Sequence, residues 1–321
     1  MRIALWAFFL LIPVCSGIGW SSNASAQSCT PYARVVESKN SSFPVGYGVC
    51  IGQQPSLTPD TPVRVACLSG LDSFWAKRPE DLQRCLSSRL PARRCSSDMY
   101  VLCDRSRAED ARKPTLVKPY GHALRGSSLA LAWQPIPKAV SYEATLLTDR
   151  PYTATTNSTE LLASSTFPPL PSGQTVQVVI RAFDPQKKEL GHSVTTFRVL
   201  SQTEQQEVSQ VLLQIERLRT SQTEKTYLSL AVLRSHFLVD EAIRLLGRRI
   251  RELPPTSKLD RLLADLYFEM GQLKLARQSY ERAQQIAIET NNPTEFDLAG
   301  QGLRDLQAFY NQDPTNTTLP Q

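Results

Sequence analysis

Past Cys103 the chain has no cysteine, and its 321 residues hold only three histidines, His122, His192 and His236, far apart in sequence. The closest cysteine spacing is seven intervening residues, Cys95 to Cys103, with no histidine nearby. Zinc sites use tighter pairs, so no metal ligand set is expected. No H-E-x-x-H, G-x-S-x-G, P-loop or G-x-G-x-x-G stretch occurs, which removes the hydrolases and nucleotide binders that those motifs mark. No catalytic residue and no cofactor is expected. A pair of glycosidase carboxylates needs no local motif, so a polysaccharide-active enzyme is the alternative reading. The formal charge of +6 is small for this length. The basic runs "RLPARR" (89–94) and "RRIR" (248–251) lack interleaved aromatics, and nucleic acid is not expected as a partner. An apolar fraction of 41% with 21% charged residues belongs to a folded chain.

Long apolar runs are also scarce, with one exception at the start. "IALWAFFLLIPV" (3–14) follows the single charge of Arg2, and "ASAQ" places Ala24 and Ala26 at small-residue positions. This is the pattern of a signal peptide over 1–26, with cleavage expected after Ala26. Because residues 3–20 just reach spanning length, an uncleaved anchor is the competing reading. No later stretch is long and apolar enough to span a bilayer, so no transmembrane segment is expected after cleavage. The expectation is an exported protein, in the periplasm or at the cell surface.

Cys29, Cys50, Cys67, Cys85, Cys95 and Cys103 remain in the mature chain. An even set confined to one region of an exported protein predicts a disulfide framework within residues 27–113. The connectivity is open. Cys50 with Cys67 is the pairing expected to close a hairpin of two short strands, "PVGYGVCIG" and "PVRVACLSG". Residues 77–113 are expected to be irregular.

Residues 114–200 change in character. Leu129, Leu131 and Trp133 alternate, then Tyr142, Ala144 and Leu146, then Val176, Val178 and Ile180. Period-two alternation predicts half-buried strands of an all-β sandwich with Trp133 in its core. The strand Trp133, the turn leading to Tyr142 and "Leu170-Pro171-Ser172-Gly173" resemble an immunoglobulin-like fibronectin type III domain. Val176 stands where that family has a tyrosine.

Residues 201–310 read as helices, opened by the capping-box pattern "SQTE" at 201–204. In "LYFEMGQLKLARQSYERA" (266–283), Gly271 is placed to end one helix, and Ala276 and Ala283 lie on one face of the next. With Ala264 they allow two antiparallel helices to approach closely. A weaker copy stands earlier in the chain, where Leu233, Val239, Ala242 and Leu246 answer Tyr267, Leu273, Ala276 and Tyr280 at one constant offset. Phe237 replaces the turn glycine. The offset is that of tetratricopeptide (TPR) repeats, which the stretch resembles. The helix at 202–219 and the segment 294–309 are expected to flank the two copies. Residues 311–321 read as a polar, disordered tail.

The expected fold is therefore multidomain: a small bridged β-rich unit, an all-β sandwich and an all-α repeat array. The TPR resemblance implies a concave groove lined by the first helix of each pair. Tyr227, Arg234, Lys258, Arg261, Asp265, Phe268 and Glu269 are expected on that open face. Aromatic and arginine side chains are the usual anchors of such surfaces. The function expected is a non-enzymatic adaptor of a bacterial cell envelope that binds a protein or peptide there.

Overall fold

The computed structural model describes residues 29, 31–38, 42–52, 56–68, 73–86, 113–124, 130–162, 167, 170 and 172–312. The expected signal segment, Cys95, Cys103 and Leu129 lie outside them. Met1–Thr30 is one unit, of which only Cys29 is described. From Pro31 onward the chain forms a single compact unit of mixed β and α structure.

The first part is a four-stranded antiparallel sheet in the order β2-β1-β3-β4. Its strands are β1 (Pro31–Ser38), β2 (Gly48–Cys50), β3 (Val63–Cys67) and β4 (Ser73–Ala76). Successive side chains on a strand point to opposite faces. Ala33, Val35, Val63 and Val65 enter a small core with Leu82 and Cys85. Val36 and Ala66 point the other way, into the core of the helices. Pro79–Cys85 is a 3₁₀ helix within a stretch expected to be irregular.

The pairing of Cys50 with Cys67 is corrected: Cys67 is bonded to Cys85. The reason is strand order. β1 lies between β2 and β3, two strand spacings of about 4.8 Å separate the expected partners, and a disulfide spans at most about 7 Å between Cα atoms. The 3₁₀ helix instead brings Cys85 to a Cα distance of 5.1 Å from Cys67. Cys29 and Cys50 are each disulfide-bonded as well.

Two further sheets enclose one core. Strands β5 (Leu116–Lys118), β7 (Ala130–Trp133) and β10 (Glu160–Leu162) form one, in the order β10-β7-β5. The other has the order β6-β12-β11-β8-β9, built from His122–Ala123, Glu189–Val199, Thr175–Phe183, Ser141–Leu147 and Tyr152–Thr156. The alternating residues meet inside: Leu131, Trp133, Tyr142, Ala144, Leu146, Val176, Val178 and Ile180 are all buried. The Trp133 ring packs on Tyr142 at 5.5 Å.

Six helices follow among the described residues: α1 (Gln202–Glu216), α2 (Gln222–Ser235), α3 (Val239–Glu252), α4 (Ser257–Glu269), α5 (Leu273–Glu289) and α6 (Pro293–Gln312). The last runs two residues into the expected tail. The capping box forms: Ser201 Oγ accepts from the Glu204 amide at 3.2 Å, and the Glu204 carboxylate accepts from the Ser201 amide at 2.8 Å. Arg198 grips the same carboxylate with two nitrogens, at 2.9 and 3.0 Å, and holds its pKa down at about 2.

The two inner turns are built alike. The amides of His236, Phe237 and Leu238 donate to the carbonyls of Val232, Arg234 and Leu233; those of Met270, Gly271 and Gln272 donate to Leu266, Phe268 and Tyr267. Every donor and acceptor is displaced by the same repeat interval, the one that separates Phe237 from Gly271. Both of these residues take positive φ, +56° and +72°. Ala264, Ala276 and Ala283 are fully buried, as close helix packing needs. The parts are not separate modules: the helical core also contains Val36 and Ala66 from the first sheet and Tyr120 and Leu200 from the sandwich.

Two outcomes follow. Trp133→Ala should destabilise the full chain by about 3–5 kcal/mol through the cavity left, read by chemical denaturation. Digestion of the non-reduced protein should yield a fragment in which Cys67 and Cys85 are joined; a Cys50–Cys67 fragment would show that β1 does not separate those strands.

Candidate functional site

The seven residues expected on the recognition face do fall in one region, on α2 and α4. Thr256 caps α4, its side chain accepting from the Leu259 amide. Near this end of the helix, the Lys258 ammonium lies 4.3 Å from the centre of the Tyr227 ring and donates to the Leu68 carbonyl at the end of β3. Burial pulls the Lys258 amine down to about 8, against the attraction of Glu295. Burial and the Glu295 charge push the Tyr227 phenol up to about 12.

Arg261 departs from expectation. It is 1% exposed. Its Nε and Nη2 donate to the two Glu295 oxygens at 2.6 and 3.3 Å, and its Nη1 to Asp265 at 3.2 Å. The other Asp265 oxygen accepts from the Tyr280 hydroxyl at 2.5 Å. Burial opposes the guanidinium charge, yet Glu295 and Asp265 more than restore it, and its pKa is raised. Phe268 is buried too, with its ring edge-on to Phe309 at 6.1 Å. The physical reason is α6. It lies along α4 and brings Glu295 and Phe309 onto the face expected to be open. Its close approach to α5 depends on Gly302, where a Cβ would collide with the Tyr280 ring.

Arg234 and Glu269 form a separate pair at 3.0 Å, and the Glu269 carbonyl accepts from the Tyr120 hydroxyl at 2.6 Å. Tyr227, Arg234, Lys258, Asp265 and Glu269 remain half-buried. The region is thus a row of polar and aromatic side chains, satisfied internally at its α6 side and partly open elsewhere. It can offer hydrogen bonds, charge and aromatic surface to a ligand. Among the described residues no group of three or more His, Cys, Asp or Glu could hold a metal ion, and no helix is long and apolar enough to cross a membrane.

Sequence reasoning missed Glu295, Tyr280 and Phe309 as partners. One signal was available: Tyr227, Arg261 and Glu295 are evenly spaced, at the repeat interval itself.

No protein-family model matches the chain, and no curated protein matches it. Among solved structures it is aligned with Astrotactin-2, described as a conserved vertebrate-specific and perforin-like membrane protein involved in neuronal development. The identity is 14% and the TM-score 0.19, over 61% of this chain and 36% of that one. The chain thus spans about a third of that protein's structure, and a likeness this slight carries no conclusion about fold or function.

Glu295 tests whether the Arg261 group is structural. Glu295→Ala strips a buried guanidinium of its main partner and should cost about 3–5 kcal/mol, read by denaturant unfolding. A change under about 1 kcal/mol, the range of an exposed pair, would show that Arg261 reaches water.

Proposed function

We propose that the chain is a non-enzymatic interaction adaptor, exported into a bacterial cell envelope, that holds a protein or peptide against its first helices α2 and α4. The reading is carried by one observation: two helix pairs have matching turn hydrogen bonds one repeat interval apart, and their first helices meet through Tyr227 with Lys258 and Arg234 with Glu269. That period and geometry support a TPR-like array, a scaffold whose use is to present a row of side chains to a partner. The two sheets of the middle part, antiparallel except where the short β6 runs parallel to β12, support a fibronectin type III-like sandwich, a common spacer of exported proteins. The disulfides fit an oxidising compartment.

The partner-facing residues in this proposal are those that keep exposure: Tyr227, Arg234, Lys258, Asp265 and Glu269. Arg261 and Phe268 leave the recognition set and serve as the wall that α6 builds.

Crosslinking in the intact envelope followed by mass spectrometry would identify the partner. The double variant Tyr227→Ala/Arg234→Ala, with unchanged circular dichroism, should then bind it at least tenfold more weakly, about 1.4 kcal/mol. Unchanged affinity would move the interface to one of the β units.

A further inference from the structure

Most arginines among the described residues hold a carboxylate, as Arg34 holds Glu224, Arg64 holds Glu37 and Arg198 holds Glu204. Arg217, Arg219, Arg248 and Arg251 do not. All four are exposed, and their side chains make no ion pair or hydrogen bond among the described residues.

These four are gathered at one end of the helices. Arg217 follows the last residue of α1, and Arg219 stands in the turn that leads to α2. Arg248 and Arg251 belong to the end of α3, within one helical turn of about 5.4 Å. The two places touch. Arg249, in that same turn of α3, reaches Glu216 at 3.4 Å, and Glu216 is the residue before Arg217. Lys225 joins them, donating to the Glu216 carbonyl at 2.5 Å.

The carboxylates at this end are already engaged. Arg249 also takes Glu252 at 2.9 Å, and Arg34 and Thr220 take Glu224. Arg34, Lys225 and Arg249 balance Glu216, Glu224 and Glu252 in charge, so the four exposed guanidinium groups stand as net positive charge. The C-terminal dipoles of α1 and α3 lower the cost of holding like charges together. Such a cluster raises the local concentration of anions. Guanidinium groups take phosphate oxygens through paired N–H donors.

An apolar side chain stands beside them. Leu213 is 58% exposed and lies one turn before Arg217, on the same face of α1. A free polyanion has no use for an exposed leucine. A charged bilayer surface accepts both, because its phosphates lie directly above an apolar layer.

We propose that this end of α1, α2 and α3 docks on an anionic phospholipid membrane, with Arg217, Arg219, Arg248 and Arg251 on headgroup phosphates and Leu213 entering between them. The inference goes beyond the adaptor reading and does not depend on it, since the row on α2 and α4 takes no part. The contact is peripheral and electrostatic, so salt weakens it.

The probe is a pair of vesicle preparations, one of phosphatidylcholine alone and one of equal parts phosphatidylcholine and phosphatidylglycerol. The mature chain should sediment with the anionic vesicles, stay in solution with the neutral ones, and be released by added salt. Arg217→Gln/Arg219→Gln/Arg248→Gln/Arg251→Gln, with unchanged circular dichroism, should bind the anionic vesicles at least about tenfold more weakly. The control removes the same charge from exposed sites on the sandwich: Lys138→Gln/Arg150→Gln/Lys187→Gln/Lys188→Gln should bind almost as the parent does. Leu213→Ser should weaken vesicle binding too. Absence of binding to the anionic vesicles, equal binding to the neutral ones, or an equal loss in the sandwich variant overturns the proposal. Unchanged vesicle binding by Leu213→Ser overturns it as well and assigns the arginines to a soluble polyanion, which titration with polyphosphate then reads.

Discussion

Helix α2 has apolar surface on every side, and the architecture follows from covering it. Leu228, Leu230, Ala231, Val232 and Leu233 are all buried, together with Thr226 and Ser229. A helix that is apolar all round needs neighbours all round. One partner helix covers one stripe; α1, α3 and α4 together leave a further face. The first sheet fills it with Val36 and Ala66. At about 1.5–3 kcal/mol for each fully buried leucine-sized side chain, exposing that face would remove a large part of a typical folding free energy. The sheet and the array are therefore one folding problem, although each has its own local pattern.

The sandwich is joined at a second place, the turn between α2 and α3. Phe237 adopts a left-handed conformation there, in which a bulky residue is strained. Its surroundings fix it. The Phe237 carbonyl accepts from the His122 amide at 2.9 Å, its ring lies against the His122 ring at 5.3 Å, and Gly121 approaches so closely that a Cβ would stand 2.6 Å from that carbonyl. In the second copy Gly271 makes the same turn without that strain. A residue that breaks the repeat pattern thus marks where another part of the chain docks.

That distinction explains what could be read from the residues. Strand faces were legible in the sandwich, because Val176, Val178 and Ile180 alternate in one direction only. The turn of the second helix pair was legible because Gly271 and the buried alanines are local signals. The Cys67–Cys85 bond was not, since it depends on β1 lying between β2 and β3, and strand order is set by long-range pairing. The exposure of Arg261 and Phe268 was misjudged for a related reason. Their spacing places them correctly on one side of α4, but periodicity does not say which neighbour takes that side. The repeat interval from Arg261 to Glu295 contained the answer, and reading it required treating α6 as the first helix of a third unit.

The burial of Arg261 also limits what the array can do. A guanidinium removed from water needs its carboxylates in place, and Glu295 and Asp265 supply them from α6 and from α4 itself. Such a group adds little net stability but penalises other arrangements of the helices heavily, because any shift leaves a charge unpaired. The α6 side of the row on α2 and α4 is accordingly fixed. On the opposite side the Lys258 ammonium holds the Leu68 carbonyl at the end of β3, and α2 packs on the first sheet. Between them Tyr227, Arg234, Lys258 and Glu269 stay half-buried. The sheet therefore fixes one border of this row as well as covering α2.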